Sequence, residues 1–474
     1  MSRSTADPTA SSPDAGFLWR ICLIAAMGGL LFGYDWVVIG GAKPFYEAHF
    51  GIGGAPFLQG LCMSSALLGC LVGAAVAGVV SDRFGRRGPL IAAGILFTAT
   101  GVGTALAWDL TSFNLARWIG GVGIGLASNV SPMYIAEVSP AGARGRFVSI
   151  NQLTIVIGIL AAQVVNLLIA APVPAGTADA ALAASWNGQL GWRWMFAAEA
   201  VPSVLFLALM FAVPESPRWL VTAGQLERAR QVLARVGGPA YAEAELADIR
   251  STISRDEIGR MRLRDLNEPG LRRVLVLGVA LAVFQQWCGI NVIFNYAQEV
   301  FKAAGYEVGE MLISIVITGV VNLVFTFVAI ATVDRWGRRP LMLFGAGSLA
   351  AIYGLLGAGY LVGSRGPHML ALVVAAIACY AMSLAPVTWV VIAEIFPNRI
   401  RGAAMSVAVF ALWLACSVLT FTFPFLNTHL GPHGTFWLYG AICAAGFAFM
   451  ARQLPETKGK TLEEIERQLG VDRG

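Results

Sequence analysis

Asp82-Arg83-Phe84-Gly85-Arg86-Arg87 returns as Asp334-Arg335-Trp336-Gly337-Arg338-Arg339, 252 residues further on. Each copy lies between two long apolar runs. Two more echoes accompany it. Glu137 with Arg144-Gly145 returns as Glu394 with Arg401-Gly402 at an offset of 257, and Pro214-Glu215-Ser216 returns as Pro455-Glu456-Thr457 at an offset of 241. Three matched motifs at similar offsets imply two six-helix halves in the same orientation. In a membrane, parallel repeats of this kind go with alternating access and a site between the halves near the midplane.

Composition agrees that lipid is the solvent. Of 474 residues, 57% are hydrophobic and 13% charged, and the mean hydropathy is +0.68. A soluble domain carries about 25% charged residues, and a chain this apolar would expose patches that water disfavours. A spanning helix needs about 20 mostly apolar residues. Twelve runs qualify: 17–41, 57–80, 89–108, 112–135, 147–170, 193–213, 272–296, 310–333, 340–362, 369–394, 402–424 and 434–453. They predict an all-α integral membrane protein with twelve spans in two pseudo-symmetric halves, 17–213 and 272–453. Residues 1–16 read as a disordered tail, 214–271 as a helical linker and 454–474 as a second tail. No cleavable leader is expected, because 17–41 is too long for one.

Orientation follows from the cationic loops. Arg83, Arg86, Arg87, Arg144, Arg146, Arg335, Arg338, Arg339, Arg399 and Arg401 fall in one set of connections, and only Lys43, Arg193, Lys302 and Arg365 in the other. The first set is expected in the cytoplasm, with both termini. The net charge of +5 is spread over short loops rather than a stripe, so no nucleic-acid partner is expected. The seven cysteines sit at irregular spacings in apolar runs. They read as packing residues, with neither a disulfide framework nor a metal site, and no cofactor is expected.

The repeated loops carry charge that can pair. Glycine permits a tight turn, and arginine can reach helix C-termini. Asp82, Arg86, Glu137 and Arg144 in one half, with Asp334, Arg338, Glu394 and Arg401 in the other, are candidates for a cytoplasmic gate.

Further motifs carry a family resemblance. Gly33-Tyr-Asp, Arg117, Pro132-Met-Tyr-Ile-Ala-Glu, Pro214-Glu-Ser-Pro-Arg-Trp-Leu, Gln285-Gln-x-x-Gly-Ile-Asn and Pro455-Glu-Thr-Lys-Gly, with the Asp-Arg-x-Gly-Arg-Arg loops, resemble the sugar porter family of the major facilitator superfamily. The resemblance runs from about Gly28 to the C-terminus. It implies the major facilitator fold, a monosaccharide substrate and, as in the bacterial symporters, a proton partner and the inner membrane; a monomer is expected.

Span 7 points the same way without the family. Gln285 and Gln286 lie about 13 residues inside it, roughly 20 Å along its axis. Two amides at that depth cost free energy unless paired, and amides suit hydroxyls because they donate and accept. Gly289 lets the helix break, with Asn291 just beyond. The resemblance adds Gln152, Asn322, Trp389 and Trp413 as sugar contacts, and Phe32 with them. Pro386 is expected to kink span 10 near Trp389. Gln152 falls only a turn or two inside the expected span 5, so that helix begins later or the site lies nearer the cytoplasm. This chain has Ile159 where xylose symporters have a second glutamine, Leu412 where an amide is usual, and Asn295-Tyr296 in place of a Tyr-Tyr pair.

Asp35, Arg117 and Glu199 stand five or six residues from the outer ends of spans 1, 4 and 6, roughly 8–9 Å below one surface. Intramembrane charges are costly and are usually paired or functional. They are candidates for proton coupling. The four histidines fall in outer loops. The short tail argues against a sensor, the proline-free span 5 against a drug antiporter, and no nucleophile–base set or metal spacing suggests an enzyme. The expectation is proton-coupled sugar import, with facilitated diffusion of a sugar or polyol as the alternative.

Overall fold

The computed structural model describes residues 15–140, 142–174, 176–258, 269–397 and 401–460, together with Glu464 and Gln468. Eleven helices among the described residues are long and apolar enough to cross a membrane. The last, Ala404–Gln453, has 50 residues and leaves helical geometry at Gly431 (φ 67°), just before Pro432. It therefore makes two crossings, spans 11 and 12. The others are span 1 (Ala15–Phe50), span 2 (Pro56–Phe84), span 3 (Arg87–Ala105), span 4 (Leu110–Val138), span 5 (Arg144–Ile169), span 6 (Asn187–Met210), span 8 (Val308–Trp336) and span 9 (Arg338–Leu361). Span 7 comes in two pieces, Pro269–Trp287 and Ile290–Asn295, and so does span 10, Pro367–Ala381 and Leu384–Ile395.

The exterior is apolar: Val79, Leu168, Val201, Phe211, Val276 and Leu355 are all exposed, as lipid-facing side chains would be. Inside a bilayer no hydrophobic force draws helices together, so close backbone approach must do so. Spans 2 and 4 meet through Gly69 and Gly73 against Gly121 and Gly125; a Cβ on Gly121 would strike the Ala66 carbonyl, and one on Gly73 the Val122 carbonyl.

Several boundaries differ from the hydropathy reading. Span 1 continues to Phe50, nine residues past its expected end, and carries Lys43 and Glu47 inside the helix rather than in a loop. Span 5 begins at Arg144, earlier than expected, which sets Gln152 two turns in. The break in span 10 falls at Met382 and Ser383, not at Pro386. Pro386 is the third residue of the second piece, where its absent N–H would have had no partner anyway.

The linker holds two helices, Pro217–Thr222 and Leu226–Ile258, the second broken at Gly238. They share a small core of Leu220, Ala229, Val232, Leu233, Ala242, Leu246 and Ile249.

Candidate substrate and proton sites

Gly289 adopts φ 84° and separates the two pieces of span 7. A Cβ there would also collide with the Tyr439 side chain, so two independent constraints favour glycine. Around the break the amides form one chain. Asn291 Nδ2 donates to Gln286 Oε1, Gln286 Nε2 donates to Gln285 Oε1 at 2.5 Å, and Gln285 Nε2 donates to the Tyr380 hydroxyl at 2.7 Å. All four residues are buried. Linking them end to end satisfies part of each amide and fixes which atoms stay free for a ligand. Tyr380 ends the chain, and sequence reasoning missed it because it sits in an unremarkable apolar run.

Phe32 faces Trp413, ring centres 5.7 Å apart, across the boundary between the halves. Trp413 is buried, Asn322 is buried, and Gln152 and Trp389 are half-buried. Among the described residues, no hydrogen bond joins Gln152, Asn322 or Trp389 to the amide chain. Leu412, beside Trp413, is buried.

Asp35, Arg117 and Glu199 come together, but not at the shared depth expected: span 1 runs on to Phe50 and span 6 begins at Asn187, so Asp35 and Glu199 lie deeper from their helix ends than Arg117 does. Arg117 Nη1 pairs with Asp35 Oδ1, and Nη2 donates to the Asp35 carbonyl at 2.9 Å. The guanidinium also lies 5.4 Å from the centre of the Phe196 ring. Both Glu199 oxygens, and Asp35 Oδ2, have no hydrogen-bond partner. The cluster thus holds one fixed cation and two carboxyl groups in a buried site, with the Asp35 and Glu199 carboxyls close enough to share a proton. Chemically it can hold or release a proton without leaving the arginine unpaired.

The loop network repeats with near-identical geometry. In the first half, Glu137 accepts from Arg86 Nη2 at 2.9 Å and from the Ser216 hydroxyl. Glu215 caps the N-terminus of span 3 through the Arg86 N–H at 2.8 Å and the Arg87 N–H at 3.2 Å. In the second half, Glu394 accepts from Arg338 Nη2 at 2.9 Å and Thr457 Oγ1 at 2.6 Å, while Glu456 caps span 9 through the Arg338 and Arg339 N–H groups at 3.0 and 3.1 Å. The preceding glycines, Gly85 (φ 83°) and Gly337 (φ 92°), leave room that a Cβ would take from Glu215 and Glu456. The repeated Pro-Glu-Ser/Thr motif is therefore a helix cap.

Each arginine–glutamate pair lies within one half, while Glu215 and Ser216 follow span 6 and Glu456 and Thr457 follow span 12. Asp82 is 3.6 Å from Arg86 but largely exposed. Arg144 Nε donates to the Ala136 carbonyl at 2.9 Å. The side chains of Asp334 and Arg401 lie outside the described residues.

Further contacts join the two halves. Phe57 stacks edge-on against Phe421 at 5.7 Å, Gly60 abuts the Phe421 carbonyl and Gly40 the Phe294 carbonyl. Gln163 is 1% exposed and presses its Oε1 on Gly319, with neither amide atom hydrogen-bonded. Lys43 pairs with Glu299. The hydropathy reading gave no sign of these last two contacts.

A family model described as sugar (and other) transporter matches residues 21–469. The chain belongs to this family. This transporter is 40% identical to the D-xylose-proton symporter of Escherichia coli (strain K12), over 96% of each chain. It is 38% identical to the arabinose-proton symporter of Bacillus subtilis (strain 168), over 97% of each. Among solved structures, the E. coli xylose transporter in a partially occluded inward-open conformation matches with a TM-score of 0.83 and 38% identity, covering 94% of this transporter and 100% of that chain. The transporter is a multi-pass membrane protein of the major facilitator fold.

Proposed function

We propose that the chain is a proton-coupled symporter that imports a monosaccharide by alternating access. The observation that carries this reading is the separation of two polar sites. One is the amide chain of Gln285, Gln286 and Asn291 at the break in span 7, which meets span 11 at Cys416, one turn from Trp413. The other is the buried Asp35–Arg117–Glu199 cluster in the first half. A facilitator needs the first; only a coupled carrier needs the second.

In this reading, sugar hydroxyls take the unfilled lone pairs and N–H groups of the amides, and the indole of Trp413 offers its face to the C–H side of a pyranose. Gln152, Asn322 and Trp389 complete the contacts from the space between halves. The proton enters the outer cluster, neutralises a carboxyl group and loosens Asp35 from Arg117. Its release on the other side restores the pair. The halves are 17–213 and 272–453, the linker 214–271 and both termini are cytoplasmic, the membrane is the inner one, and the unit is a monomer. The similarity to two sugar–proton symporters supports the substrate and the coupling ion.

The test is uptake of radiolabelled D-xylose, L-arabinose and D-glucose by proteoliposomes, with and without an imposed pH gradient. Accumulation above the outside concentration, driven by external acid, is the expected result. Equilibration without accumulation assigns the chain to facilitated diffusion.

A further inference from the structure

Lys43 lies eight residues beyond Asp35 on span 1, about 12 Å along the helix, and its side chain is 0% exposed. Its ammonium stands 2.7 Å from Glu47, one turn on, and also pairs with Glu299 of the second half. The surroundings are built around that charge. The Tyr296 ring centre is 5.5 Å away, and the Tyr296 hydroxyl is occupied by the Thr420 carbonyl at 2.6 Å. Gln59 Nε2 donates to the second oxygen of Glu47 at 3.2 Å.

Burying a lysine costs several kcal/mol unless it is paired, so the two carboxylates explain how Lys43 is tolerated. They differ in one respect. Glu47 moves with Lys43, being on the same helix, whereas Glu299 belongs to the other half. When the halves part on the outer side, Lys43 keeps Glu47 and is never stranded. Glu299, already 21% exposed, passes to water. A contact with this asymmetry can be made and broken in each cycle.

Glu299 also sits where it has leverage. It lies on Ala297–Ala303, directly after the piece of span 7 that carries Asn291 and Asn295. That piece is joined to the rest of span 7 only through Cys288 and Gly289, so its placement depends on outside contacts. Span 1 supplies them: the Trp36 and Phe294 rings are 6.5 Å apart, and Gly40 abuts the Phe294 carbonyl. Asn295 Oδ1 is buried on this piece with no hydrogen-bond partner.

We propose that Lys43 is a positioning residue for the sugar site, holding Glu299 so that the outer piece of span 7 seats against span 1 and brings Asn291 and Asn295 over the bound monosaccharide. The same pair latches the outer mouth. This rests on the sugar reading above, and adds to it the residue that governs closure.

The experiment uses full-length protein in proteoliposomes with a cysteine at Phe421, which packs across the outer mouth. Labelling by an impermeant maleimide from outside is followed with and without D-xylose, L-arabinose or D-glucose. Lys43→Met and Glu299→Gln should each speed labelling at least about fivefold, the low end of a coupling between sites. The sugar concentration giving half-protection should rise by a similar factor. The double variant should be no faster than either single one, since both remove the same pair, and Lys43→Arg should label as the parent does. Parent-like labelling in both single variants overturns the proposal, as does a double variant whose effects multiply. Lower thermal stability with unchanged labelling also overturns it, and assigns the pair to structure alone. If Lys43→Met fails to fold, Glu299→Gln decides by the same criteria. If no sugar protects the parent, the sugar reading and the positioning role both fail, while the labelling rates still judge the latch.

Discussion

Arg117 on span 4 grips Asp35 on span 1 twice, once at the carboxylate and once at the backbone carbonyl. The second bond survives if Asp35 is neutralised. Protonation therefore weakens the contact between spans 1 and 4 without dissolving it, which suits a switch better than a full release would.

Asp35→Asn mimics the protonated form. It should still bind sugar and exchange it across the membrane, but no longer accumulate it from an acid exterior. Counterflow and gradient-driven uptake in the same proteoliposomes separate the two activities. Parent-like accumulation removes Asp35 from coupling, and a fall of both activities with poor folding makes the pair structural.

Gln285→Ala cuts the amide chain between Tyr380 and Gln286. A neutral hydrogen bond is worth about 0.5–1.5 kcal/mol and a stranded buried partner about 1–3. Sugar affinity, read by isothermal calorimetry, should fall roughly 5- to 100-fold. Unchanged affinity for the transported sugar would exclude Gln285 from the site.

Gly289→Ala places a Cβ against Tyr439 and asks an L-residue to hold φ 84°. The backbone alone costs about 1–2 kcal/mol. The variant should unfold at lower temperature and bind sugar more weakly, because the joint that aims Asn291 is displaced. A parent-like melting curve with parent-like affinity would show that the break tolerates a side chain.

Glu456 gives a pH signature at the N-terminus of span 9. Partial burial pulls its carboxyl upward, but the N–H groups of Lys458, Arg338, Arg339 and Thr457 outweigh this and hold it below its ordinary value of 4.5. The folded pKa is depressed, so the stabilisation is present above pH 4.5 and is lost as pH falls through the folded value. Glu456→Gln should lower stability near pH 7 by about 1 kcal/mol or less, since the group is partly exposed. The difference from the parent should vanish in acid. Melting temperatures of both proteins from pH 7 to pH 3 check it; a difference that persists at pH 3 points to packing instead.

Most of the architecture was legible because lipid imposes a length and a polarity on every span. The duplication was legible because its motifs are local. The roles of Glu215 and Glu456 were not, since their partners are backbone groups more than a hundred residues away. Lys43 was misread for a physical reason: a lysine and a glutamate one turn apart end a hydropathy window just as a loop does, and the partner Glu299 lies 256 residues on. Gln163 escaped notice because a single amide in an apolar run has no pattern. The break in span 10 was assigned to Pro386, but the proline sits in the first turn of the second piece, where it is tolerated rather than disruptive.

The arginine–glutamate pairs of the repeated loops are each internal to one half, whereas Lys43–Glu299 crosses from one half to the other. Moving the halves apart leaves the two arginine–glutamate pairs whole but breaks Lys43–Glu299. Of these three pairs, only Lys43–Glu299 opposes the parting of the halves.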